Sequence, residues 1–268
     1  MKYIYFKNSR RQKLCGIISR AESGAAKSTH SSKESDSSKL AVSSKRANTA
    51  ILMCHGLGSS KDDNLYISLQ DKLNELGLAT FRMDLLGHGD SDGEYNDLTL
   101  TETIDDILCA KHELEKIGYT NIGFIGSSFG GVGGIMAASK EQFHFLVLIS
   151  PPTYYDVSEM IKSGIYILKE LMKINKTTQK KKASPNIRFF RDYGSYDSYA
   201  AAEKISIPVL IIQGDKDKIV PLVKSRELKK KIKGSKIKIF KGADHVYTKA
   251  YKKLAKEIMK FVNVQDLD

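Results

Sequence analysis

Short apolar runs alternate with longer amphipathic stretches along most of the chain. The apolar runs predict strands, and the amphipathic stretches, two of which end at Gly77 and Gly118, predict helices. Repeated strand–helix units with nearly continuous apolar strands build parallel sheets covered on both faces, so the pattern predicts an α/β fold with a mostly parallel, twisted sheet. The predicted strands cover residues 49–54, 78–83, 122–125, 143–149, 207–212 and 236–240. The predicted helices cover residues 61–76, 100–117, 128–139 and 248–262, and a further helix starts at Pro221.

Three other segments complete the predicted organisation. Residues 3–6 and 14–18 read as two strands joined by a basic turn, which would form an antiparallel edge. Residues 21–47 are rich in Ser, Lys, Ala and Glu and almost lack large apolar side chains, so they predict a flexible Ser/Lys-rich insertion. Residues 151–204 begin at two prolines and separate two predicted strands, which predicts a cap inserted above the sheet.

Composition favours one large domain over residues 1–268. The chain has 268 residues, of which 41% are apolar, enough for a single well-filled core. Lys and Arg exceed Asp and Glu by 43 − 31 = 12, a surplus that could suggest nucleic acid or anionic lipid as a partner. The lysines concentrate between residues 224 and 260, where the solvated faces of surface helices account for them. Since no RNA-binding motif or DNA-binding helix pair occurs, we predict no nucleic-acid partner.

Cysteine and histidine spacing gives no sign of a metal site. Cys15, Cys54 and Cys109 form no C-x-x-C pair, so we expect reduced and mostly buried thiols. His55 and His88 each lie in a Gly-flanked turn without a second ligand at metal spacing, and we predict neither a metal nor a cofactor. Residues 1–20 lack a signal-peptide pattern and no long apolar span occurs, which predicts a cytoplasmic protein.

The most informative motif is Gly126-Ser127-Ser128-Phe129-Gly130, which joins a predicted strand to a predicted helix. A G-x-S-x-G sequence in this context indicates a nucleophilic serine on a sharp turn, with glycines that let the two elements pass closely. Only Ser128 fits this register, and Ser127 is expected to form a local hydrogen bond. The pentapeptide alone also fits a plain Gly-rich turn, so its significance depends on the rest of the chain.

An acid and a base follow later in the chain, in the order that this nucleophile requires. Asp215 and Asp217 come directly after a predicted strand, and His245 follows the next one. The carboxyl ends of parallel strands meet at one edge of a sheet, where sites of such folds form. His245 can accept the Ser128 proton, and a carboxylate can orient its imidazole.

Together these residues resemble the α/β-hydrolase superfamily, in particular small serine esterases of the cinnamoyl-esterase, monoacylglycerol-lipase and serine-aminopeptidase-like group. The resemblance covers about residues 49–150 and 205–262, and rests on four motifs: H-G-L-G at 55–58, D-L-L-G-H-G-D-S at 84–91, the turn at Ser128, and the paired Asp and His segments. It implies that Ser128, Asp217 and His245 form a catalytic triad, while Asp215 shapes its turn. It also implies that the backbone N–H groups of Leu57 and Phe129 form an oxyanion hole.

The expected activity is hydrolysis of a small-molecule acyl ester through an acyl-enzyme. A peptidase or an acyl-thioesterase on the same triad remains an alternative, as does a noncatalytic binding protein on a hydrolase scaffold.

Within the predicted cap, apolar residues at helical spacing predict an amphipathic helix, whose members are Met160, Ile161, Ile165, Leu168, Leu171 and Met172. That helix could roof an acyl pocket as a lid, pack on its neighbours, or make weak contact with a membrane surface. Oligomeric state is not readable from the sequence.

Overall fold

The computed structural model describes residues 1–20, 46, 48–154, 187–248 and 250–265. Within them, eight strands form one sheet, in the order β1-β2-β4-β3-β5-β6-β7-β8. The strands are β1 Lys2–Lys7, β2 Lys13–Ser19, β3 Thr49–Cys54, β4 Ala79–Met83, β5 Asn121–Ser127, β6 Leu146–Ile149, β7 Val209–Gly214 and β8 Lys236–Phe240. Strands β3 to β8 are parallel, whereas β1 and β2 form the predicted antiparallel edge, with β2 antiparallel to β4. The predicted fold class is confirmed.

Seven α-helices and one 3-10 turn connect the strands in the described part of the chain. They are α1 Asn64–Glu75, the 3-10 turn Tyr95–Asp97, α2 Leu100–Lys116, α3 Ser128–Ala138, α4 Ile187–Tyr193, α5 Ser198–Ala202, α6 Leu222–Lys231 and α7 Tyr251–Asn263. The predicted helix over 61–76 starts three residues late, because the Asp63 side chain caps α1 by accepting a hydrogen bond from the Leu65 N–H at 2.9 Å. The Lys61 N–H donates instead to Asp84 Oδ1 at 2.7 Å.

The sheet separates two hydrophobic layers, because successive side chains of each strand point to opposite faces. Leu52 and Phe124 face helices α2 to α6, whereas Ile51 and Phe145 face α1 and α7. All four of these side chains are fully buried. Burial on both faces explains why the parallel strands appear in the sequence as continuous apolar runs.

The far edge strand β8 differs from the interior strands. Lys236 and Lys238 are exposed, and Lys238 Nζ lies 3.3 Å from Glu257 of α7. The opposite edge is the β1–β2 hairpin. The segments that follow β3, β5, β7 and β8 all leave the sheet at the carboxyl edge of its parallel strands.

Two predicted features lie outside the described residues. These are the insertion over 21–47, apart from Arg46, and the amphipathic helix over 160–172. The described end of the predicted cap contains α4 and α5, which the sequence analysis did not identify. No helix among the described residues is long and apolar enough to cross a bilayer.

A truncation behind the central strand tests this layered core. Phe124 is fully buried, and its ring packs edge-on against Phe143 with centroids 5.7 Å apart. We expect Phe124→Ala to lower the free energy of unfolding by about 3–5 kcal/mol, since it removes an aromatic ring and leaves a cavity. Val223→Ala, at a 52% exposed position, should change it by less than about 0.5 kcal/mol. Urea unfolding of both variants checks this; similar costs would contradict the assigned core.

Candidate active site

The turn between β5 and α3 holds Ser128 in a left-handed backbone conformation, with φ of 49°. The turn closes only because its neighbours lack side chains. A Cβ on Gly126 would lie 2.7 Å from the Gly130 carbonyl oxygen, and a Cβ on Gly130 would lie 2.6 Å from the Cys54 carbonyl oxygen. The strained turn presents Ser128 at the carboxyl edge of the sheet, as predicted for a nucleophile.

The structure brings Ser128, His245 and Asp217 together in one hydrogen-bonded chain. His245 Nε2 lies 3.0 Å from Ser128 Oγ, and His245 Nδ1 lies 2.8 Å from Asp217 Oδ2. The three residues come from three separate segments, which follow β5, β7 and β8. The spacing is that of a nucleophile, a general base and the group that orients the base.

The Asp217 carboxylate is fully buried but well supplied with donors. Its Oδ1 accepts from the N–H groups of Ile219 and Val220, both at 2.8 Å, and its Oδ2 accepts from Gln213 Nε2 at 2.8 Å. Burial alone would raise the pKa of Asp217, but the hydrogen bonds from His245 and these N–H groups outweigh it and lower the pKa. Asp217 is therefore anionic near neutral pH.

Asp215 and Ser127, which neighbour Asp217 and Ser128 in sequence, lie outside this hydrogen-bonded chain. Asp215 lies at the turn, where its Oδ1 accepts from the Gly242 N–H at 2.6 Å, so it joins two loops and does not contact His245. The prediction of a local hydrogen bond for Ser127 is wrong. Its hydroxyl lies 2.7 Å from the Tyr66 hydroxyl, 61 residues away in sequence, because α1 passes beside the turn.

Leu57 and Phe129, the predicted oxyanion-hole residues, both line the cavity onto which Ser128 opens. Phe129 is in the first turn of α3, whose N–H groups have no acceptor within the helix. Leu57 follows Gly56, where a Cβ would lie 3.1 Å from Ser128 Cβ. Within the described part of the chain, no hydrogen bond occupies the Leu57 N–H. Both backbone donors are therefore near Ser128.

His55 and His88 hold the loop that carries Leu57. His88 Nε2 accepts from the Gly58 N–H at 3.0 Å, and His55 Nε2 accepts from the Leu85 N–H at 3.1 Å. Each Nδ1 then carries the proton and donates to a carbonyl oxygen, that of Leu86 for His88 and that of Gly56 for His55. Burial lowers the pKa of His55 to about 3 and also lowers the pKa of His88, which keeps both rings neutral.

A buried lysine occupies the acidic cluster beside this loop. Cys15, Asp84 and Asp90 lie close enough to share an ion, but the Lys61 ammonium group is 2.9 Å from Asp84 and 2.6 Å from Asp90. Asp84 also accepts from the Asp90 N–H at 2.9 Å. The two carboxylates thus shape the loops after β3 and β4. The three cysteines are free thiols, and Cys15 and Cys54 are buried.

The described residues around Ser128 line a cavity of about 170 Å³ whose wall is mostly apolar. One side is an aromatic cluster in which the Phe129 ring lies 5.1 Å from Phe189 and 6.0 Å from Tyr193, between centroids. Phe189 and Tyr193 were not predicted as site residues, although their spacing of four residues is a helical signal. Tyr154 and Tyr247, which line the same cavity, were not predicted either.

Two family models match parts of this chain. A model of the alpha/beta hydrolase fold matches residues 49–162, and a model described as serine hydrolase (FSH1) matches residues 108–254, more than half of the chain. A curated Escherichia coli relative, described as an uncharacterized 31.7 kDa protein in the traX-finO intergenic region, is 28% identical over 138 residues. This match covers 49% of the present chain and 48% of the relative, so the chain spans about half the length of the curated protein it matches.

Several solved structures are similar over nearly their full length. Est1E from Butyrivibrio proteoclasticus, solved with ferulic acid bound, has a TM-score of 0.75 at 22% identity and covers 99% of this chain and 100% of its own. The esterase EaEST from Exiguobacterium antarcticum has a TM-score of 0.71 at 16% identity, covering 97% and 98%. The Pyrococcus furiosus esterase Pf2001 has a TM-score of 0.71 at 19% identity, covering 98% and 90%. At these identities the similarity is one of fold.

The buried neutral His55 predicts a pH-dependent stability. Its folded pKa of about 3 lies below the usual value of 6.5, so between these values the unfolded chain binds the proton more readily. Its contribution to the free energy of unfolding is therefore lost as the pH falls through this window. We expect His55→Asn to be less stable than the wild type at neutral pH and to lose part of that deficit near pH 4.5. Urea unfolding at both pH values checks this, and a deficit independent of pH would contradict it.

Proposed function

The chain belongs to the serine hydrolase (FSH1) family, and from this membership and the site geometry we propose that it cleaves carboxylic esters through an acyl-enzyme intermediate. The observation that carries the proposal is the hydrogen-bonded chain from Ser128 through His245 to Asp217 at the wall of an apolar cavity. A noncatalytic binding protein would need none of the features that align these three side chains, such as the strained turn at Ser128 or the three donors on Asp217.

In the proposed acylation step, Ser128 Oγ attacks the ester carbonyl carbon while His245 Nε2 takes the Ser128 proton. The N–H groups of Leu57 and Phe129 donate to the oxyanion that forms, and each such donor contributes about 3 kcal/mol in comparable sites. Asp217 stabilises the imidazolium and keeps Nδ1 protonated. The bond to the alcohol oxygen then breaks, and His245 donates its proton to the departing alkoxide.

In the proposed deacylation step, His245 takes a proton from a water molecule, whose oxygen attacks the acyl carbon on Ser128. The same backbone donors hold the second oxyanion. Cleavage of the bond to Ser128 Oγ then releases the carboxylic acid, and His245 returns its proton to Ser128. The protein's own groups supply every proton transfer, and we propose no cofactor or metal in either step.

The cavity supports an uncharged acyl group of modest size. A cavity of about 150 Å³ holds one benzene ring, so the 170 Å³ here matches an acyl group of about six carbons or a single ring. The acidic lining residue Asp63 is already used, since its carboxylate accepts from the Leu65 N–H and from Ser59 Oγ, both at 2.9 Å. These bonds make Asp63 the cap of α1 but leave its negative charge in place, so the matched substrates described below decide the aminopeptidase alternative.

We propose that residues 151–204 act as the cap that selects the acyl group, because α4 within them supplies Phe189 and Tyr193 to the cavity.

We also propose a cytoplasmic location, supported by the free thiols of Cys15, Cys54 and Cys109, which suit a reducing compartment. Fractionation of cells that express the chain, with the active serine labelled, tests this location.

Labelling with a fluorophosphonate probe tests the nucleophile. We expect the wild type to be labelled and Ser128→Ala to lose both labelling and ester turnover, with kcat lower by about three to six orders of magnitude. Ser127→Ala is the matched control, since it removes the adjacent hydroxyl and should keep the label. Labelling that persists in Ser128→Ala would contradict Ser128 as the nucleophile, whereas absence of labelling from both proteins would favour the binding-protein alternative.

Substrate series test the proposed reaction and pocket. Among p-nitrophenyl esters, we expect kcat/KM to rise to an acyl chain of about six carbons and then to fall, because longer chains exceed the cavity. Phe189→Ala should shift this optimum to longer chains, since it removes one wall. Matched ester, thioester and aminoacyl-amide substrates distinguish the alternatives on the same triad. Faster turnover of the amide or thioester would overturn the carboxylic-ester proposal.

A further inference from the structure

Strained backbone is concentrated around Ser128. Among the described residues, the non-glycine residues with positive φ are Arg11, Ser128, Ser150 and Tyr247. Ser150 follows β6 with φ of 47°, and Tyr247 follows His245 by two residues with φ of 54°. A bulky residue in this region costs energy and persists only where the surroundings hold it. The function proposed above gives Ser128 a reason for its strain but leaves Ser150 and Tyr247 unexplained.

Ser150 and Tyr247 form a hydrogen bond with each other. Ser150 Oγ lies 2.9 Å from the Tyr247 hydroxyl, and both residues are buried, with exposed fractions of 1% and 2%. The Tyr247 ring packs edge-on against Phe240, with centroids 5.8 Å apart. The hydroxyl pair therefore joins the end of β6 to the loop that carries His245, across 97 residues of sequence.

The same hydroxyl also reaches the segment that carries Asp217. Burial raises the pKa of Tyr247, and the nearby backbone of Gly214, the last residue of β7, acts on the hydroxyl in the opposite direction. The two loops are in close contact there, since the Lys216 N–H donates to the Ala243 carbonyl at 3.0 Å and a Cβ on Gly214 would lie 3.0 Å from the Asp244 carbonyl oxygen. The Tyr247 hydroxyl thus lies where the ends of β6 and β7 meet the His245 loop.

We propose that Tyr247 is a positioning residue for the reaction, and that Ser150 is its anchor. The hydroxyl pair fixes the left-handed turn after His245 and so fixes the distance from His245 Nε2 to Ser128 Oγ. Without the Tyr247 hydroxyl the turn can relax, and a small displacement of the imidazole slows proton transfer strongly. The two hydroxyls bond to each other, and Tyr247→Phe keeps the ring that lines the cavity, so substrate binding should persist. This proposal rests on the proposed function, because it assigns these residues a task within that triad.

The test uses Tyr247→Phe, which keeps the ring, Ser150→Ala, which removes the partner hydroxyl, and the double variant. We expect each single variant to lower kcat by about 10- to 100-fold with KM changed less than about twofold, and the rate of fluorophosphonate inactivation to fall in parallel. Because the two hydroxyls act as one unit, the double variant should be no slower than the slower single variant. Tyr119→Phe is the matched control: Tyr119 is buried before the amino end of β5, and its variant should keep the wild-type kcat.

Thermal unfolding of every variant separates positioning from loss of folded protein, because only a folded variant with reduced kcat supports the proposal. A wild-type kcat in folded Tyr247→Phe or Ser150→Ala, a change confined to KM, or effects that simply add in the double variant would overturn it. If Tyr247→Phe does not fold, Ser150→Ala alone decides between these outcomes. Ser128→Ala, assayed in parallel, distinguishes the two failures: residual wild-type turnover there rejects the proposed function itself, whereas its loss confines the failure to Tyr247.

Discussion

The close approach of bare backbone at the turn between β5 and α3 is the constraint on which the rest of the site depends. Gly126 and Gly130 lack side chains, so the strand, the turn and the first turn of α3 can pass close to each other and to the end of β3. The same approach brings Gly56 against Ser128 and so sets where the Leu57 loop must lie. One steric requirement therefore orients both the hydroxyl and the backbone donors around it.

Much of the fold was predictable because burial leaves a direct mark on the sequence. The bounds predicted for β3 and β8 match the structure, and the parallel strands read as apolar runs since both of their faces are covered. Helix starts were harder to predict. The start of α1 depends on Asp63 as a cap and on the bond from the Lys61 N–H to Asp84, and the second of these is a contact between distant segments that local pattern does not contain.

For the candidate site, the sequence was informative where a motif fixes both residue type and chain order. Such motifs identified Ser128, Asp217 and His245, and the structure brings these three residues together. Phe189 and Tyr193 had a helical spacing, but no motif tied them to the cavity. Two hydroxyl contacts left no pattern in the sequence: that of Tyr66 with Ser127 and that of Ser150 with Tyr247. These contacts join residues 61 and 97 positions apart, and such distances have no period or fixed spacing. Such groups become visible only when the sheet has brought the loops together.

The lysines of β8 have a consequence for the behaviour of the chain in concentrated solution. An edge strand offers unpaired backbone groups to any other strand, which is a common route to aggregation. In β8 the exposed Lys236 and the ion pair between Lys238 and Glu257 place charged side chains on this edge strand. Part of the basic surplus that first suggested a polyanionic partner thus lies on an edge strand, where charged side chains disfavour the pairing of strands from two copies.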